Sequence, residues 1–204
     1  MREILIGTHN PGKVREYKML LGDRDFDVLS LNDLNVHEDV IEDGTTYKEN
    51  AAKKASFYAD LTGLSVLADD GGLEIDALGG EPGIKSRRWP GYEASDEELI
   101  KIALRKLEDI PKKKRTARFV VVIALAVSNE EIFISRGEKE GVILEKARGK
   151  MIPGYPFRSL FFLPDKEKTF NQISLKEEVE IGHRKKALSK LEPILKSLQS
   201  GRAA

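Results

Sequence analysis

The stretch REILIGTHNPGKVREYKML (residues 2–20) decides how the rest of the chain is read. REILIG is short and apolar enough for a strand. Asn10 then suits a helix N-cap, and Pro11 suits the first helical position, where its missing N–H costs nothing. Val14, Tyr17, Leu20 and Leu21 recur at helical spacing behind them. The spacing therefore predicts a strand, a turn and a helix, with Thr8, Gly12 and Lys13 brought to the helix N-terminus. Free backbone N–H groups and the positive end of the helix dipole make such a terminus attractive to anions. The GxxxxGK[ST] spacing of a P-loop is absent. Taken alone, the stretch reads most simply as an ordinary capped βα turn, so the rest of the chain must decide.

Around this unit, helical and strand patterns alternate without a linker, repeat or low-complexity segment, and one domain of two joined lobes over 1–204 is expected. FDVLSL (26–31) reads as a second strand. TTYKENAAKKASFYADL (45–61) reads as a helix with Tyr47, Ala51, Ala55 and Tyr58 near one face. LSVLAD (64–69) reads as a strand, and Ser95 with Glu98 as a capping box opening the helix 96–109. Long strands follow at 115–127 and 130–144, joined near Ser128 and Asn129, then a short one in SLFFLP (159–164). HRKKALSKLEPILKSL (183–198) reads as a terminal helix kinked at Pro193. The fold class expected is α/β with a mixed sheet.

With 34 basic and 34 acidic residues, the chain carries no charge excess of the kind that binds nucleic acid or membrane surfaces. The basic run KKKRTAR (112–118) lies between a helix and an apolar strand and reads as a solvated loop. Zero cysteines exclude disulfide and thiolate chemistry. With no signal-peptide pattern and no apolar run of about 18 residues, a soluble cytoplasmic protein is expected.

LADDGGL (67–73) sets Asp69 and Asp70 at the end of an apolar strand, where α/β sheets commonly bind ligands. Adjacent carboxylates are costly unless solvated, hydrogen-bonded or bound to a cation, and Mg²⁺ typically takes one or two carboxylates plus phosphates. Asp69-Asp70-Gly71-Gly72 also suits a plain turn, and chemistry alone leaves the two readings even. Glu42 and Asp43 precede the helix that carries Lys54, a residue able to meet phosphate as a point charge.

THNPGK (8–13), YKENAAKKA (47–55) and ADDGGLEIDALGGEPGIKS (68–86) occur in order, followed by RTARFVVVIAL, GEKEGVI, ARG and IGHRKKAL. Over residues 3 to about 191 the chain resembles the Ham1/RdgB/inosine-triphosphatase family of nucleoside-triphosphate pyrophosphatases. The resemblance implies an elongated mixed β-sheet with flanking helices, forming two lobes around a nucleotide cleft, and a homodimer. It implies Mg²⁺-dependent hydrolysis of noncanonical purine triphosphates such as ITP, dITP and XTP to the monophosphate and pyrophosphate. Asp70 falls on the catalytic aspartate, Glu42 and Asp70 on the metal site, and Lys54 on the helix lysine. Thr8, Asn10, Gly12, Lys13 and Lys54 become the triphosphate contacts. Gly71 stands where the family has serine, keeping a backbone N–H and losing the hydroxyl.

The base-recognition segments depart further. The family G-F-G-Y-D-P-x-F reads GYPFRSLF (154–161), so an aspartate becomes Arg158, while Tyr155 and Phe157 keep aromatic character for base stacking. The family K-N-x-x-S-H-R reads EVEIGHR (178–184), so a lysine becomes Glu178 while His183 and Arg184 remain. If positions 158 and 178 face each other, the swap is an ion pair with reversed polarity. If they face the base, donors and acceptors have been exchanged. Two other readings stay open: the same hydrolysis on another nucleotide class, or a nucleotide-binding protein without turnover.

Overall fold

The computed structural model describes residues 2–22, 24–127 and 131–200. The opening motif folds as β1 (Arg2–Ile6) and α1 (Pro11–Leu21), followed by β2 (Phe26–Ser30), α2 (Tyr47–Thr62) and β3 (Ser65–Ile75). Next come α3 (Asp96–Lys106), β4 (Thr116–Val127), β5 (Glu131–Ile143), β6 (Phe161–Leu163) and β7 (Lys168–Thr169). The described chain ends in α4 (Leu175–Ile181), α5 (His183–Lys190) and α6 (Glu192–Ser200). The junction expected near Ser128 and Asn129 lies outside the described residues.

The strands form one seven-stranded sheet in the order β2-β1-β3-β4-β5-β6-β7. It is mixed: β1 pairs in parallel with β2 and β3, whereas β6 pairs antiparallel with β5 and β7. The chain divides into two compact units. The first holds residues 1–70, 121–137 and 183–204; the second holds 71–120 and 138–182. Each has its own apolar core. In the first, Leu5, Val66, Ala68, Val122 and Ala124 of the sheet pack on Ala51, Ala55, Tyr58 and Ala59 of α2. The small alanines let this helix lie close to the strands; Ala51, Ala55 and Tyr58 of the expected face are buried, Tyr47 packs partly buried against them, and Ala59 joins the same core. In the second, Leu73, Ile75, Phe161 and Leu163 pack on Leu99, Ala103 and Leu107 of α3, with Phe157 and Phe170 beside them.

Helix starts follow local chemistry. The Asn10 carboxamide accepts from the backbone N–H of Gly12 and Lys13 at 2.8 and 3.3 Å, capping α1. Thr46 and Glu49 cap α2 reciprocally. At α3 only half of the expected box forms: Ser95 accepts from Glu98 N–H, while the Glu98 carboxylate accepts from Tyr92.

Three readings change. β3 does not end at Asp69; it continues through both aspartates and both glycines to Ile75, so the Asp-Gly turn is absent. At the other end, Pro193 does more than kink. It cannot supply the N–H of a continuous helix, and the chain breaks at Leu191 between α5 and α6. Third, the basic run divides in character. Lys112–Lys114 form a short exposed turn, but Arg115 is buried and donates to the carbonyls of Leu107 and Ile110 at 2.7 and 2.9 Å, closing the end of α3.

Candidate active site

Because β3 runs unbroken past Asp69 and Asp70, their side chains leave opposite faces of the strand. Within the first unit, Asp70 turns to α2 and Asp69 to α1 and α5.

On the Asp70 face, Asn50 of α2 donates from Nδ2 to Asp70 Oδ2 at 2.9 Å, and its own Oδ1 accepts from Gly44 N–H at 2.8 Å. That second bond fixes which end of the amide meets the carboxylate. Gly44 must be glycine here, since a Cβ would lie 2.6 Å from Asn50 Oδ1 and 2.8 Å from Glu49 Cβ. One turn along α2, Lys54 Nζ pairs with Glu42 Oε1 at 2.8 Å. The lysine is 7% exposed, while the Glu42 side chain is 41% exposed and open to solvent. Burial pushes the Asp70 carboxyl above its ordinary value; the Lys54 charge and the Asn50 bond oppose this, and the Glu42 charge adds to it.

On the Asp69 face, the carboxylate is fully buried and fully engaged. Lys13 Nζ donates to Oδ1 at 2.6 Å; Tyr17 OH and Arg184 Nε donate to Oδ2 at 3.1 and 2.7 Å. Arg184 also donates from Nη1 to Glu16 Oε2 at 2.9 Å. Burial alone would raise the Asp69 carboxyl, but the charges of Lys13, Arg184 and Lys54 outweigh it and hold it far below the usual carboxylate range. The same pairing keeps the buried Arg184 cationic, and burial with Asp69 beside it raises the Tyr17 phenol well above its ordinary value.

The first unit thus holds Thr8, Asn10, Gly12, Lys13, Glu42, Lys54, Asp70, His183 and Arg184. Two roles narrow. The N–H groups of Gly12 and Lys13 are taken by the Asn10 cap, so the anion attraction at α1 rests more on the Lys13 ammonium and less on those amides. Thr8 Oγ1 accepts from Asn10 N–H at 3.2 Å and holds the turn.

The second unit holds Gly71, Tyr155, Phe157, Arg158 and Glu178. Arg158 and Glu178 do face each other, in a two-pronged pair of 2.8 and 2.6 Å with side chains only 12% and 5% exposed. The guanidinium also lies 4.2 Å from the centre of the Tyr155 ring and 5.2 Å from that of Phe170. Phe157 is buried edge-on against Trp89 in the core, so the structure gives it a packing role, while Tyr155 stays half-buried.

Sequence reasoning missed Asn50, Glu16 and Tyr17, and read Asp69 only as one of a carboxylate pair suited to a cation or a turn. Asn50 and Asp69 stood inside quoted motifs, but their neighbours carried the obvious chemistry. Glu16 and Tyr17 look like ordinary helix residues, and only their partners across the fold distinguish them.

The two lysines and two carboxylates of the first unit make a group suited to polyphosphate and a divalent cation. The fit to Mg²⁺ is that of a shared site: Glu42 and Asp70 feel each other's charge, and among the described residues no three His, Cys, Asp or Glu side chains form an all-protein cage. The chain belongs to the Ham1 family, whose sequence profile matches residues 4–194. It is 41% identical over 197 residues to the dITP/XTP pyrophosphatase of Bacillus subtilis, covering 97% of this chain and 98% of that one. It is also 41% identical to the dITP/XTP pyrophosphatase of Geobacter sulfurreducens, covering 94% and 95%. The Ham1 protein of Coxiella burnetii superposes with a TM-score of 0.83 at 36% identity, over 97% of this chain and all of that one. The Staphylococcus aureus Ham1 protein superposes with a TM-score of 0.81 at 35% identity, over 96% and 99%.

Proposed function

We propose that this protein hydrolyses noncanonical purine nucleoside triphosphates, of the dITP and XTP kind, to the monophosphate and pyrophosphate. The observation that carries this is the first-unit group: Asp70, held by Asn50, beside the Lys54–Glu42 pair, with Lys13 at the start of α1. Full-length similarity to dITP/XTP pyrophosphatases supports the substrate class.

Asp70 serves as the proton acceptor. Its raised pKa makes it a stronger base than an ordinary carboxylate, and the Asn50 bond sets the orientation of the carboxylate toward its proton. As Asp70 takes the proton, the water oxygen bonds to phosphorus, the link between the α- and β-phosphates breaks, and pyrophosphate leaves. Lys13 and Lys54 position the phosphates and offset their charge. Glu42 and Asp70 would hold a divalent cation, Mg²⁺ by preference, which when bound neutralises phosphate charge.

In the second unit the Arg158–Glu178 pair is satisfied internally, and we assign it to shaping the base subsite. Tyr155, half-buried with Arg158 against its ring, is the aromatic we assign to the base. The test is a panel of canonical and noncanonical triphosphates with Mg²⁺, assayed for pyrophosphate. Faster release from dITP and XTP than from ATP or GTP is expected. Release from none of them would overturn the reading.

A further inference from the structure

The buried Asp69 carboxylate accepts from three side chains, Lys13, Tyr17 and Arg184, yet the proposed chemistry does not use it. Its side chain is 0% exposed and joins three elements: β3 through its own backbone, α1 through Lys13 and Tyr17, and α5 through Arg184. The geometry points to Asp69 as the positioning residue for Lys13. It fixes one of the three ammonium donors and leaves the others for phosphate, and it locks that arrangement to α5 through Arg184. The inference rests on the reading of Lys13 as a phosphate contact.

Two features make this more than packing. First, Lys13 is only 19% exposed along its side chain and ends on a carboxylate that cannot turn away, since both Asp69 oxygens are occupied. A lysine otherwise keeps many rotamers, so the anchor is what defines where its charge sits. Second, α5 is set against the sheet without slack. A Cβ at Gly137 would lie 2.2 Å from the His183 carbonyl oxygen and 2.6 Å from Ala187 N. Arg184 is therefore delivered to Asp69 by a close backbone approach that only glycine permits.

The sign of the effect separates positioning from charge. Lys13, Arg184, Asp69 and Glu16 sum to zero formal charge, so Asp69→Asn leaves the group at plus one. If Asp69 acted only as a charge, its removal would tighten polyphosphate binding and leave the chemical step alone. A positioning residue behaves differently. The loosened lysine still meets the anion, so ground-state affinity holds, but kcat falls because the charge is no longer placed for the transition state.

The experiment measures pyrophosphate release and inorganic tripolyphosphate binding for the wild type, Asp69→Asn, Lys13→Met and the double variant. The expected result is a kcat loss of about 10-fold to 100-fold in Asp69→Asn, with tripolyphosphate Kd no weaker than wild type. The double variant should be no slower than Lys13→Met alone within about 3-fold, as for residues acting as one unit. An unchanged kcat, a weaker Kd with kcat preserved, or multiplicative losses in the double variant would each overturn the inference. Wild type that releases no pyrophosphate defeats the functional reading itself, and this is seen before any variant is made. Should Asp69→Asn not fold, the ¹⁵N signal of the Lys13 ammonium in the wild type decides. It should exchange slowly with water and stay so with tripolyphosphate bound; loss of that protection on binding would show that Lys13 leaves Asp69 and is not placed by it.

Discussion

At Asp69 and Asp70, one peptide bond apart, the same side chain is driven to opposite ionisation behaviour. Asp69 meets two cations at bonding distance, whereas at Asp70 burial prevails over the Lys54 charge and the Asn50 bond, with the Glu42 charge adding to it. The consequences for stability have opposite signs. Asp69, lowered in the folded state, contributes stability that is fully present above the ordinary carboxylate value and is lost as pH falls through its folded value. Asp70, raised in the folded state, costs stability once pH rises above the ordinary value and through its folded one. Neutralising each should separate them in thermal melts at neutral pH. Asp69→Asn is expected to melt below wild type, because Lys13 and Arg184 lose their buried partner. Asp70→Asn is expected to melt at or above wild type, since asparagine can still accept from Asn50. In the same Asp70→Asn protein kcat should fall about 100-fold to 10,000-fold at saturating Mg²⁺, the range lost with a general base. Unchanged release would remove Asp70 from the chemistry.

Between elements, the Arg158–Glu178 pair links the turn before β6 to α4, and α5 rests on β5 at Gly137. Leaving one partner of a buried ion pair without the other costs about 3–5 kcal/mol. Arg158→Asp and Glu178→Lys alone should therefore each lower the melting temperature by several degrees, and the exchanged double variant should regain most of the loss. A double-mutant cycle on the melts measures this coupling. If the pair also shapes the base subsite, the double variant shifts the ratio of kcat/KM for XTP over GTP; an unmoved ratio confines the pair to structure. At Gly137, alanine adds a carbon where the α5 backbone already lies. Overpacking of this kind costs about 1–3 kcal/mol, and circular dichroism melts of Gly137→Ala should show it.

At the scale of the whole molecule, a homodimer is expected from the resemblance to the family. Sedimentation at micromolar concentration should give about twice the 22.8 kDa chain mass. A monomer mass would refute it. No helix among the described residues is long and apolar enough to cross a membrane.

Much was legible in the sequence because its causes are local. Asn10 and Pro11 start α1 whatever surrounds them, and the 47/51/55/58 face of α2 announces a packed helix by spacing alone. Ser174 and Glu177 cap α4 as fully, and the S-x-x-E pattern could have found that seven-residue helix; its charged surface hid it. The ordered motifs likewise placed Lys13, Glu42, Lys54 and Asp70 in one functional reading. What the sequence could not decide was partnership over distance. Whether Asp-Asp-Gly-Gly turns or continues as strand depends on pairing within the sheet, and that continuation alone sends Asp69 and Asp70 to opposite faces. Lys13 and Arg184 lie 56 and 115 residues from Asp69, and Arg158 lies 20 from Glu178. Local propensity sets where elements begin and end. The charges that meet in the interior are chosen by the packing of those elements, because a buried carboxylate is stable only where tertiary structure brings it a partner.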